Sequence, residues 1–75
     1  MRHDRIHRDL RIMSGQPVIK GTRIPVTVVL NELSHGESED RILEAYPTLT
    51  REDVRAALAY AAAFIEDDRL IEAAE

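Results

Sequence analysis

The sequence contains no cysteine, which removes disulfides, thiolate metal ligands and cysteine nucleophiles and fits an intracellular setting. Long apolar runs are missing as well. Nothing approaches the roughly 20 residues of a membrane span, and no charged start followed by an apolar core marks a signal peptide. A soluble, cytoplasmic protein is expected. The groupings that enzymes use are also absent: no serine, histidine and aspartate set, glycine-rich phosphate loop or acidic metal cluster stands at a useful spacing. No catalytic residue, metal or cofactor is therefore expected. His3 and His7 are four apart, a helical metal spacing, but their segment does not read as a helix and no further ligand completes a set, so two solvated histidines are expected.

With 75 residues, one domain is the limit. A chain this short buries only about 60% of the surface its unfolded form exposes, so it gains much from association, and a homodimer is expected. The net charge of −4 conceals an asymmetry. Residues 1–25 carry Arg2, Arg5, Arg8, Arg11, Lys20 and Arg23 against Asp4 and Asp9, a net of +4, whereas residues 26–75 carry four arginines against twelve carboxylates, a net of −8. The two ends can attract each other, within a chain or between two, and the basic arm can seek phosphate.

What the chain does have is concentrated between Gln16 and Val26, a stretch with two of its three prolines, one of its three glycines and a tight alternation of apolar and cationic residues. A two-residue type II′ turn at Gly21-Thr22 would set Ile19 opposite Ile24 and Lys20 opposite Arg23. Like charges facing each other across a strand pair are mildly destabilising, which suggests an anion or acidic partner. Two simpler arrangements are open: both cations splay into water, or Gly21 makes a bend into a helix with no ladder.

Along the chain, residues 1–5 show no periodicity and are expected to fray. Ile6, Leu10 and Ile12 suit an edge strand guarded by Arg8 and Arg11, broken by a turn at Ser14-Gly15-Gln16-Pro17, so that residues 6–26 form a β and turn arm. Val26, Val29, Leu30 and Leu33 recur at helical spacing from Pro25 to His35-Gly36, with His35 at the negative end of the helix dipole. Ser38 caps a very short second helix bearing Ile42, Leu43 and Tyr46. Thr50-Arg51-Glu52-Asp53 has the layout of a capping box opening a third helix, whose stripe of Val54, Ala57, Leu58, Ala61, Phe64 and Ile65 faces a core. Residues 26–65 are thus a helical core and residues 66–75 an acidic helical tail. Asp68 interrupts the stripe, leaving Leu70 and Ile71 as fraying helix or as a docking element.

Three such helices outline a mainly α helix-turn-helix domain. Were the third helix to read DNA, Arg51 and Arg55 would contact phosphate or guanine. Glu52, Asp53 and a run of alanines make that helix a poor reader, so DNA contact should lean on Arg8, Arg11, Lys20 and Arg23 as well.

These residues carry a resemblance. Ile6 with Asp9, the run from Gly15 to Val26, Gly36-Glu37-Ser38, Tyr46-Pro47, Leu49-Thr50 and the stretch from Asp53 to Ala61 resemble the DUF433 family of small prokaryotic proteins, over roughly residues 6–64. The resemblance implies a homeodomain-like fold with a short N-terminal β element and a role as a VapB-like antitoxin, commonly encoded beside a PIN-like toxin with ribonuclease activity, with promoter DNA as a second partner. The alternative is a free-standing DNA-binding regulator. Leu10 stands where the family usually has proline, and Gln16 where it usually has lysine. A nuclease of that type holds a metal with clustered carboxylates, so an inhibitor would offer it cations; Arg69, Leu70 and Ile71 of the tail, with Arg23, are the candidate partner contacts.

Overall fold

The computed structural model describes residues 3–66. Two short strands, β1 (Ile6–His7) and β2 (Val18–Ile19), precede three helices, α1 (Val26–Ser34), α2 (Glu39–Ala45) and α3 (Arg51–Glu66). The mainly helical domain with a small β element expected from the sequence is what forms. None of the described helices is long and apolar enough to cross a membrane.

β1 and β2 are antiparallel, with Ile6 opposite Ile19 and His7 opposite Val18. On its other side β2 meets the chain leading into α1, through a bridge between Val18 and Pro25 and a bond from the Ile19 amide to the Ile24 carbonyl (2.9 Å). β2 is therefore the middle of three extended segments, and Val18 and Ile19 are fully buried. The expected edge strand ends early. Asp9 and Ile12 form a bridge closed by the Ile12 amide on the Asp9 carbonyl (2.8 Å), which puts Leu10 at the tip of a tight turn, 85% exposed. Proline is favoured at that first central turn position, so the turn accounts for the family's usual residue and accepts leucine in its place. Beyond it, Met13, Ser14 and Gly15 all have positive φ (51°, 58° and 87°). A left-handed turn of this kind is disfavoured for residues with a side chain, and the expected turn at residues 14–17 begins one residue early.

Helix ends follow the sequence closely. Pro25 stands at the N-cap of α1 in extended backbone. At the other end, the Gly36 amide reaches the Leu33 carbonyl (3.0 Å) and the Glu37 amide the Glu32 carbonyl (3.1 Å), the double bond of a Schellman motif, which requires the φ of +90° that Gly36 supplies. His35 Nδ1 donates to the Asn31 carbonyl (2.7 Å), which also accepts from the His35 amide (3.1 Å). Ser38 Oγ caps α2 by accepting from the Arg41 amide (3.2 Å). The capping box of α3 forms in both directions: the Asp53 amide donates to Thr50 Oγ1 (3.2 Å) and the Thr50 amide to Asp53 Oδ2 (3.0 Å).

Ile19, Val26, Val29, Ile42, Leu49, Val54 and Ala57 make the core, with Ile6, Ile24, Leu30, Leu33, Leu43, Tyr46 and Tyr60 packed around it. α3 meets α1, α2 and β1. The stripe on α3 does not stay buried to Ile65 as the periodicity suggests: Val54 and Ala57 are inside, whereas Leu58, Phe64 and Ile65 are 45%, 66% and 59% exposed. The helix outruns the domain that buries its first two turns.

Ahead of β1, two described residues make contacts: the Ile6 amide bonds to the His3 carbonyl (3.0 Å), the His3 ring meets Tyr60 edge-on at 5.1 Å, and Arg5 Nη1 donates to Asp53 Oδ1 (3.0 Å). Asp53, 7% exposed, thus serves the helix with one oxygen and the arm with the other.

Candidate functional site

The loop joining β2 to α1 comes from the stretch that stands out in the sequence, and its local construction differs by one step from the expected turn. The Thr22 amide donates to the Ile19 carbonyl (2.9 Å), so the central residues are Lys20 and Gly21, and glycine occupies the second central position with φ +83°, the requirement of a type II turn. The threonine side chain explains the shift. Thr22 Oγ1 donates to the Ile19 carbonyl (2.7 Å) and accepts from the Ile24 amide (3.0 Å), and the Lys20 amide is committed to the Arg5 carbonyl (2.7 Å). Ile19 lies opposite Ile24 as expected, but Lys20 and Arg23 belong to the loop rather than to a cross-strand pair. Like-charge repulsion across a ladder therefore does not arise. Both side chains are exposed.

The six sequence-predicted nucleic-acid contacts do not form one surface. Arg51 donates to Glu39 Oε1 (3.0 Å) and also to Asp40 Oδ1, and Arg55 Nε lies 3.6 Å from Glu39 Oε2. Both clamp α3 to the start of α2. The hydrogen bond to Asp40, then that to Glu39, raises the Arg51 pKa further above its ordinary value. Arg11 grips Asp9 with Nε (3.0 Å) and Nη2 (2.7 Å) while its amide also donates to Asp9 (2.8 Å). The side-chain bond, then the amide bond, holds the Asp9 carboxyl below its ordinary range. Arg8 Nε donates to the Gly15 carbonyl (3.1 Å), bracing the left-handed turn. Among the described residues, Lys20 and Arg23 alone of the six have no side-chain hydrogen bond or ion pair.

They line an open cleft of about 630 Å³ with His7, Ile12, Gly21 and Thr22. His7 is exposed to solvent, as expected, on the wall of this cleft, with Nε2 4.0 Å from Asp9 Oδ2. No group of three or more histidines, aspartates or glutamates is arranged to hold a metal among the described residues. What the cleft offers is two unneutralised cations on a rigid, doubly bonded turn, suited to an anionic partner. Two interactions escaped the sequence reading: the arm contacts of Arg5 and His3, for which the only available signal was the spare carboxylate oxygen of a short Asp53 in the capping box.

The family model described as "Protein of unknown function (DUF433)" matches residues 6–61, from β1 through the cationic loop and into α3. The chain belongs to the DUF433 family. A crystal structure of a DUF433 member from Anabaena variabilis is similar with a TM-score of 0.78 and 34% identity, over 92% of this chain and 69% of that one. The chain is also 46% identical over 52 residues to the uncharacterized protein y4eO of Sinorhizobium fredii (strain NBRC 101917 / NGR234). The match takes in 69% of this chain and 24% of y4eO, so the chain spans about a quarter of the length of that curated relative. The family segment thus ends within α3. Arg69, Leu70 and Ile71, the candidate partner contacts of the tail, lie beyond it and outside the described residues.

Proposed function

We propose that this chain is the antitoxin of a type II toxin–antitoxin pair, neutralising a PIN-like ribonuclease by presenting the Lys20–Arg23 loop to the nuclease's metal-holding carboxylates. The observation that carries this reading is that Lys20 and Arg23 stand unneutralised on a turn anchored by Thr22 and by the arm, while the arginines of α3 are spent within the fold. A cation held out on a fixed loop loses little conformational freedom on meeting a carboxylate cluster and can displace its metal or block its mouth. The chain contributes no chemistry of its own; it acts by occupation. Arg69, Leu70 and Ile71 serve as a second contact, an apolar pair for a groove on the toxin and a further cation.

The same loop also supports the second reading, a regulator that holds promoter DNA. Arg51 and Arg55 tied to Glu39 and Asp40 make base reading by α3 weak, so DNA contact would be by phosphate and would fall steeply with salt.

The test is co-expression with the product of the adjacent gene, followed by an RNA-cleavage assay. The antitoxin reading expects a stable complex and inhibited cleavage. Lys20→Ala with Arg23→Ala should weaken the complex by about tenfold to a hundredfold, and removal of Leu70 and Ile71 should weaken it further. Unchanged inhibition by the double variant would refute the role of the loop. If no neighbour is bound while promoter DNA is retained at low salt, the regulator reading replaces it.

A further inference from the structure

The distal half of α3 and the start of α1 enclose an apolar groove of about 390 Å³, walled by Pro17, Val26, Leu30, Tyr60, Phe64 and Ile65, with Arg8 and Thr27 on its lining. We propose that a second copy of this chain covers it, the α3 helices of the two protomers crossing about a two-fold axis so that Phe64 and Ile65 of each enter the groove of the other.

Three observations select this occupant. The hollow and the projecting side chains lie on one continuous surface, with Phe64 and Ile65 both walling the groove and standing more than half exposed beside it. A two-fold contact needs such a patch, because the same surface must serve as both donor and receiver. Charge is complementary in the same sense. Arg8 is the one cation of the lining, its Nε fixed on the Gly15 carbonyl, and the residue following Phe64-Ile65 is Glu66, with Asp67 and Asp68 next in the sequence. A partner that seats Phe64 and Ile65 therefore brings its Glu66 carboxylate toward the Arg8 of the lining. Finally, the competing route to a dimer, through the β element, has little to offer: β2 is flanked on one side by β1 and on the other by Ile24 and Pro25, leaving only the two-residue outer edge of β1.

Sedimentation equilibrium of the full chain over a wide concentration range tests the proposal. The expected result is a dimer that dissociates on dilution. Phe64→Glu, and separately Thr27→Arg on the exposed opposite wall, should each raise the dissociation constant about tenfold or more with an unchanged helical circular dichroism spectrum. Arg8→Glu and Glu66→Arg should each weaken the dimer, and together they should recover part of the loss. A full chain that remains monomeric at high micromolar concentration overturns the proposal and assigns the groove to the chain's own tail or to the toxin. A dimer indifferent to both Phe64→Glu and Thr27→Arg overturns the surface.

Discussion

The first two turns of α3 and its last two turns carry one apolar stripe, Val54, Ala57 and Leu58 in the first and Ala61, Phe64 and Ile65 in the last, yet the fold treats them differently. In the first two turns, Val54 and Ala57 have no exposed surface, Asp53 caps the helix and holds Arg5, and Arg51 and Arg55 are clamped to Glu39 and Asp40. In the last two, Phe64 and Ile65 stand out from the domain. Periodicity says which side of a helix is apolar; it does not say how far along that side a neighbour extends. α1 has only nine residues and α2 seven, against sixteen for α3, so the longer helix must project.

The comparison is sharpened most by deleting methyl groups at the two ends. Val54→Ala should lower stability by about 2 kcal/mol, two buried carbons plus the cavity they leave. Ile65→Ala, which removes a larger but mostly exposed group, should cost the monomer under about 0.5 kcal/mol. Urea unfolding at one protein concentration measures both, and equal losses would dissolve the distinction between the two halves.

A smaller effect is expected where the arm is pinned. Asp53→Ala removes the reach-back half of the capping box, about 1 kcal/mol, and an ion pair whose arginine is half exposed, at most about 0.5 kcal/mol after solvent screening. The Lys20 amide, which donates to the Arg5 carbonyl (2.7 Å), should lose hydrogen-exchange protection in the same variant. Arg5→Ala should cost only the smaller share, and if it costs as much as Asp53→Ala the arm is more than an accessory to α3.

The smallest effect belongs to the first turn of the arm, far from either half of α3. Asp9 titrates below its ordinary value because Arg11 donates to it from side chain and backbone. A depressed carboxyl adds stability that is present above its unfolded value of 3.8 and is lost as pH falls through the folded value. Carboxyl resonances followed by nuclear magnetic resonance should show Asp9 titrating below the ordinary carboxylate range, and Arg11→Ala should return it toward that range. The helices should not respond, and a shift in α3 resonances over that acid window would reveal coupling that the contacts do not suggest.

Much of the fold was legible because it is local. Pro25, Ser38, Thr50 with Asp53, and His35-Gly36 mark helix ends through bonds that span three to five residues, and such bonds depend on residue type and spacing alone. The one-residue difference in the loop is equally local: glycine alone suggests a turn centred on Gly21-Thr22, but a Thr22 hydroxyl that bonds both the Ile19 carbonyl and the Ile24 amide decides which residues sit at the centre. The premature end of the first strand has a similar origin, since Asp9 can bond the Arg11 amide and favour a turn where alternation suggested a ladder.

The candidate site was only half legible. Composition and motif singled out six cations, and nothing in a linear string separates an arginine that will neutralise a carboxylate eleven or twelve residues away from one that will face solvent. The sequence by itself determined the three helices, their caps and the presence of a cationic turn, because each rests on short-range hydrogen bonding and on which side of an element is apolar. Only the tertiary structure decided that Glu39 and Asp40 would reach Arg51 and Arg55, that Lys20 and Arg23 would be left unpaired among the described residues, and that α3 would outrun its core, because all three depend on where separate elements meet in space and on how far each extends past the other.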